Sequence, residues 1–590
     1  MQALGALDYA IIGVYVLISL AIGLYYTKKA SESVENFFVS GRSLPWYLIG
    51  ISMAATNFSI DTPLSIMGLV AEEGIAGLWF HWSNGITVMM SAFLFARLWR
   101  RARVITDAEV VELRYGGGPA AGLRLFKGFY FGVVLNCYIL GWVFLALIKV
   151  MRGVTTLDVH WILVIFTAIV LIYTLCSGFY GVVMTDFFQY FIALGGTIVF
   201  AFLALKDVGG VSVLMEKIDS IYGAGAGLLN FVPDVDSPGQ RMTFPVFLVF
   251  IFVQWWAHKY ADGGGKHIQR MSAAKDETHA TAGTFLFAFL NYSFQIWPWI
   301  VIALCAMVSF HGVPAFQADP EMGYSMMMAK VLPTGLLGVV VVTLIGAFMS
   351  TIDTHLNLGA AYMVNDMYRR FIKKDASEKH YILMSRLAMI LNLAIAIVLA
   401  LNMKSIADAW KNIIVFAAGA GLTWIIRWFW WRANAWTEFS GMIASSVIAC
   451  YLFIFYPEMP YAYKLLIVVP ASAAVWLSVT FLTRPVDENI LVEFVRRVRP
   501  GSPGWNYIYR RHGLRPSGFF GEAMVNFALG LVFMFSLNFG IGSLIFKDTA
   551  QGLAMVAAGI VCFVVLIFRI MKAGAAEEES GRAAPSGGMG

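Results

Sequence analysis

Stretches of about 20 apolar residues, each long enough to cross a bilayer as a helix, recur about fifteen times along this chain. They fall near residues 7–26, 45–72, 75–98, 125–151, 158–177, 179–205, 242–260, 281–310, 332–368, 381–402, 407–430, 436–456, 463–483, 521–546 and 550–571. The pattern predicts an all-α, polytopic membrane protein with about 15 transmembrane helices and no soluble domain. Composition agrees: 13% of the 590 residues are charged, against roughly 25% in a soluble domain.

Basic residues set the predicted orientation, because they concentrate in cytoplasmic loops. Lys28, Lys29 and Arg42 follow the first span, Arg97, Arg100, Arg101 and Arg103 the third, Lys266, Arg270 and Lys275 the seventh, and Arg369, Arg370, Lys373 and Lys374 the ninth. The fifth exit is a short uncharged turn at Ser177–Gly178, and loops 206–240 and 311–331 carry several acids and few bases. The expectation is a multi-pass cell-membrane protein embedded in lipid, amino terminus outside and carboxyl terminus cytoplasmic. The net charge of +6 therefore reports topology, not a nucleic-acid partner. Asp8 precedes the first apolar core and lysines follow it, the reverse of a cleavable signal, so this helix is expected to be retained. The five cysteines lie in apolar segments without metal or redox spacing. LVEFVRRVRP, in loop 484–520, is a basic amphipathic stretch suited to the inner membrane surface or to a plain linker. The tail after 573 reads as disordered. Oligomeric state leaves no signature.

Polar groups inside the apolar spans carry the functional information, since lipid offers them no hydrogen bonds. In LIGAFMSTIDTHLNLG, Ala347, Ser350, Thr351 and Thr354 recur at steps of three and four and share a helix face. A carbonyl and hydroxyls there are hard oxygen ligands of the kind an alkali cation takes. Taken alone, such a Ser-Thr pair also simply bonds the carbonyl four residues back. The second span is interrupted in SMAATNFSIDTPLSIMGL, where Pro63 clashes with the Ser59 carbonyl and Asn57, Ser59, Asp61 and Thr62 crowd one turn. Carbonyls freed from about Ala55 to Phe58 are available to an ion, and the small polar side chains to a solute. Asp186, in YGVVMTDFFQYF, is a second acid, near the start of its span. The seventh span ends in QWWAHKYADGGGKHIQR, where Trp255, Trp256 and Tyr260 serve as interface anchors or as a lid. Gly263–Gly265 then form a flexible exit without the pattern of a phosphate loop.

Together these segments resemble the sodium/solute symporter family. FFVSGRSLPW (37–46), AATNFS (54–59), RVITDAEVVELRYG (103–116), YGVVMTDFFQ (180–189) and AFMST (347–351) carry the match, in order, across roughly residues 8–480. The resemblance implies a core of two inverted five-helix repeats over 45–432. A first peripheral helix and entry loop (1–44) precede it. Two peripheral helices (433–483), a basic cytoplasmic loop (484–520), two C-terminal helices (521–572) and the tail (573–590) follow. It also implies sodium as the coupling ion, held by the carbonyls of Ala55, Phe58 and Ala347 and the hydroxyls of Ser350 and Thr351. A second cation site, present in some members, falls on Asp186, Asp353 and Thr354, with Asp353 standing where the family more often has Ser. The sugar-binding positions become Thr62, His81 and Asn291, which do not reproduce a sugar pocket. The third-helix Asn is present as Asn136, the aromatic gate aligns with Tyr260, and the Asp of proline-type members is Asn57.

The resulting expectation is secondary active symport of sodium with a small polar organic solute by alternating access. The solute site is placed at Asn57, Ser59, Asp61, Thr62, His81, Asn136, Trp256, Tyr260 and Asn291. A rival keeps the fold and moves protons through Asp61, Asp353 and His81. A transporter-like sensor lacks an output domain in this sequence, and no enzyme signature is present.

Overall fold

The computed structural model describes residues 4–19, 21, 25, 40–172, 174, 181–223, 225–235 and 242–572. Part of the FFVSGRSLPW segment and residues 573–590 lie outside that description. The described chain is helical throughout, and its β pairing is one isolated parallel bridge between Leu44 and Ala274. The long helices are α1 (Ala6–Ala30), α2 (Trp46–Asn57), α3 (Asp61–Glu73), α4 (79–102), α5 (Gly117–Val154), α6 (Val159–Val208), α7 (Phe244–Gln254), α8 (Lys266–Ala273), α9 (Glu277–Ser309), α10 (Leu336–Ile372), α11 (Glu378–Asn402), α12 (Ile406–Phe429), α13 (Ala435–Phe455), α14 (Tyr461–Leu482), α15 (Phe519–Phe546) and α16 (Thr549–Lys572).

Among the described residues, ten helical stretches are long and apolar enough to span a membrane by themselves. The expected figure of about fifteen is not reached on that criterion: the second and seventh spans are broken into short halves, and the described apolar parts of the first and fifth, Ala6–Ser19 and Val159–Ile172, are also short. The expected turn at Ser177–Gly178 lies outside the described residues, which flank it as the helical stretches Val159–Ile172 and Gly181–Val208. The last helix is described as far as Lys572, and the tail expected to be disordered lies outside the described residues.

Two interruptions position everything else. The first separates α2 from α3. Phe58 leaves the helix at φ −76°, ψ 62°, and Pro63 in the first turn of α3 prevents the two halves from joining. The second, spanning 255–265, separates α7 from α8 and was not anticipated. The seventh span does not end there but resumes at Lys266. Gly263 and Gly265 take positive φ values of 75° and 60°. At Gly265 an added Cβ would also collide with the Tyr260 ring, so only glycine suits this turn.

Both interruptions are pinned to α12. The Trp410 indole donates to Asp61 Oδ2 at 3.0 Å beside the first. Arg427 and Trp428 donate to Asp262 Oδ2 at 2.5 and 2.8 Å within the second. The far ends of α2 and α8 are joined by main-chain bonds, Leu44 N–H to Ala273 O (3.0 Å) and Lys275 N–H to Leu44 O (2.9 Å). At the opposite side, Asp8 of α1 caps α10 through the amides of Gly335 and Gly338, both at 2.7 Å, where a carboxylate also meets the helix dipole favourably.

The basic stretch in 484–520 folds as a helix, Glu488–Val498. Its apolar face packs on protein, not on a membrane surface: Leu491, Phe494, Val495 and Val498 are buried, and Phe494 lies against Trp428. Helices α15 and α16 pair with each other, and α15 packs against α9, with Ser293 Oγ donating to Met534 O at 3.0 Å.

Candidate functional site

A cavity lies between the two helix breaks, with about 1020 Å³ of empty space when its opening to solvent is included. Asn57, Ser59, Asp61 and Thr62 reach it from the first break, His81 from α4 and Tyr260 from the second break. The break geometry explains this convergence: once the helix stops at Phe58, successive side chains no longer wind around an axis but crowd one wall. The Thr62 hydroxyl closes the turn by donating to Asn57 O at 3.0 Å, and the Ser59 hydroxyl donates to Asp61. Asn57 donates to Met53 O at 3.0 Å and lies 3.4 Å from His267 Nε2.

Three of the anticipated solute residues do not line this cavity. Asn136 stands one layer behind, its amide donating to His355 O and its Oδ1 meeting His355 Nδ1, both at 2.8 Å. It is His355 that faces the space. Trp256 turns away and donates to Phe252 O at 2.7 Å, in the last turn of α7. Asn291 is buried and accepts from Gln295 Nε2 at 2.5 Å, while its neighbour Tyr292 reaches the cavity and packs on His81 with ring centres 5.1 Å apart.

Several cavity residues were missed: His258, Lys259, Lys266, His267, His355 and Trp410. Lys266 was read as a loop base and Arg270 likewise, yet Lys266 lines the cavity and Arg270 is fully buried. The available signal was a run of glycines bracketed by basic residues within reach of an apolar span, which marks a break as readily as an exit.

The patch on α10 faces α2. The Thr351 hydroxyl lies 3.0 Å from Ala347 O on its own helix and 3.3 Å from Thr56 O on α2. Ala55 and Phe58 flank Thr56 on the turn where α2 ends. Ser350 Oγ donates to Asp186 Oδ1 at 2.5 Å, which leaves its lone pairs for another partner.

Asp186 is not interfacial but fully buried, and a guanidinium stands beside it. Arg270 Nη2 reaches Asp186 Oδ2 (3.2 Å), Thr354 Oγ1 (2.9 Å) and Thr56 Oγ1 (2.5 Å), and its Nε reaches Ser52 Oγ (2.9 Å). Two of the three residues assigned to a second cation are therefore ligands of a built-in cation. Asp353 sits apart from this cluster's hydrogen bonds and accepts from the Thr174 hydroxyl.

Comparison with known proteins accords with this architecture. The sodium:solute symporter family matches residues 37–445. A sodium/glucose cotransporter of Vibrio parahaemolyticus is 24% identical over 499 residues, covering 79% of this chain and 88% of that protein. Sodium/myo-inositol cotransporter 2 of Oryctolagus cuniculus is 23% identical over 477 residues, covering 74% and 68%. Among solved structures, a Na+-coupled sialic acid symporter in its substrate-bound outward-open state superposes with a TM-score of 0.68 at 19% identity, covering 82% of this chain and 99% of that one. A nucleobase-cation-symport-1 family transporter gives 0.50 at 13% identity, covering 78% and 97%. These likenesses show the all-α transporter fold, and with it a multi-pass membrane carrier rather than an enzyme, using sodium as its coupling ion. With a family match across most of its length and two broken helices enclosing one cavity, the chain belongs to the sodium:solute symporter family.

Proposed function

We propose that the chain carries a small polar organic solute together with one sodium ion by alternating access, amino terminus outside and carboxyl terminus cytoplasmic. The carbonyls of Ala55, Phe58 and Ala347 and the hydroxyls of Ser350 and Thr351 bind sodium. Asn57, Ser59, Asp61, Thr62, His81 and Tyr260 bind the solute, with Asn136 acting through His355. The observation that carries this reading is the Thr351 hydroxyl, which lies within 3.3 Å of carbonyls on both α10 and the broken α2. A cation there gains ligands from both helices at once and so favours the state in which they are close. Because α2 leads directly into the cavity wall, sodium and solute raise each other's affinity reciprocally. The single-ion stoichiometry follows from Arg270, whose guanidinium supplies the second positive charge.

The test is thermal unfolding of purified protein in sodium chloride against choline chloride, alongside uptake in proteoliposomes. Sodium should stabilise the protein, and Ser350→Ala with Thr351→Ala should abolish that effect. Solute uptake that persists in the double variant without sodium overturns the assignment. A proton-coupled reading is favoured by one observation, the buried Asp353 held by a single Thr174 hydroxyl. Uptake into sodium-free vesicles under a pH gradient separates the two.

A further inference from the structure

We propose that the solute carries an anionic oxygen group, such as a carboxylate, seated between Lys259 and Lys266. The inference rests on reading the cavity as the solute site. Both lysines line the cavity, Lys259 from the irregular stretch of the second break and Lys266 from the first turn of α8. The Lys259 ammonium stands 5.1 Å from the Trp142 ring centre and 5.2 Å from that of Tyr260. Neither lysine forms an ion pair with a carboxylate among the described residues. The one carboxylate lining the cavity is Asp61, and its two oxygens already accept from the Ser59 hydroxyl and the Trp410 indole.

Two ammonium groups therefore face one engaged carboxylate in a space walled by Ile139, Trp142, Ile413 and Ile414. Sodium in the adjacent site adds a further positive charge. Excess positive charge inside a protein cavity is disfavoured unless it is paired. A neutral polyol leaves that imbalance in place, whereas a solute anion reduces it. The free donors point the same way. His81 is 8% exposed and lines the cavity, and its Nε2 has no hydrogen-bond partner. That nitrogen is placed to serve a second solute oxygen beside the ammonium groups.

The experiment is thermal unfolding of the purified protein in sodium chloride, with solutes matched as acid and neutral partner: D-glucuronate with D-glucose, lactate with 1,2-propanediol, and N-acetylneuraminate with N-acetylmannosamine. At least one carboxylate should stabilise the protein in sodium while its neutral partner does not. Lys266→Met and Lys259→Met should each weaken that carboxylate about 10- to 100-fold, while sodium alone still stabilises. Lys266→Arg, which keeps the charge and the fold, should retain binding within a few-fold. Stabilisation by a neutral member of a pair, or by none of the carboxylates, overturns the anion assignment. Absence of any sodium effect in the unaltered protein is a different result and overturns the symport reading beneath it.

Discussion

Arg270 and Asp186 meet at 3.2 Å with both side chains wholly removed from solvent. Removing one partner of such a pair strands the other charge, at a cost of about 3–5 kcal/mol. Asp186→Asn or Arg270→Met is expected to lower thermal stability accordingly. The double variant should recover much of the loss, because no unpaired charge remains. A double-mutant cycle by thermal unfolding in detergent measures this directly.

The same pair governs ion counting. With a guanidinium bonded to Asp186 and Thr354, transport should move one sodium ion per solute. Parallel tracer fluxes of sodium and solute in proteoliposomes give the ratio. A value of two would mean that Arg270 vacates the site during the cycle.

Thr351 offers a graded test of the sodium site. Thr351→Ala removes a hydroxyl and is expected to raise the half-saturating sodium concentration about tenfold, equivalent to about 1.4 kcal/mol. Thr351→Ser keeps the oxygen and should stay near the parent value. Equal losses in both variants would instead point to packing of the methyl group.

At the second break, Gly265→Ala should abolish transport while leaving the protein folded and membrane-inserted. The backbone there has φ 60°, and the new Cβ would drive the Tyr260 ring out of its place in the cavity wall. Size-exclusion behaviour compared with uptake separates a local from a global effect.

Glu112, in the short helix Glu109–Tyr115 ahead of α5, provides a pH signature. Partial burial raises its carboxyl pKa, but hydrogen bonds from Arg370 and Arg124 outweigh that and hold it below the usual glutamate range. A depressed folded-state value means its stabilisation is present above the unfolded pKa, near 4.5, and is lost as pH falls through the folded value. Glu112→Gln should therefore lower stability at neutral and alkaline pH and flatten the acid side of the profile, leaving stability near the parent value at the most acidic pH.

Helix positions were legible in the sequence because apolar length is what a bilayer demands of a spanning helix. The first break announced itself through Pro63 and the mid-span acid at Asp61. The α10 patch was legible because steps of three and four define a face. The second break was hidden, since Lys266 and Arg270 look the same in sequence whether they end a span or enter a cavity. Trp256 and Tyr260 are four residues apart and would share a face on an intact helix, but the break sends one outward and one inward. The Arg270–Asp186 contact joins residues whose separation in sequence carries no trace of their meeting.

Helix α12 grips Asp61 through Trp410 and Asp262 through Arg427 and Trp428. From 410 to 427 an α-helix rises roughly 26 Å, so α12 acts as a ruler that fixes the spacing of the two breaks. Its calibration is also rotational. One residue inserted between Ala417 and Thr423 would turn one grip by about 100° relative to the other. The span would still satisfy the membrane, but the compartment it measures would be lost.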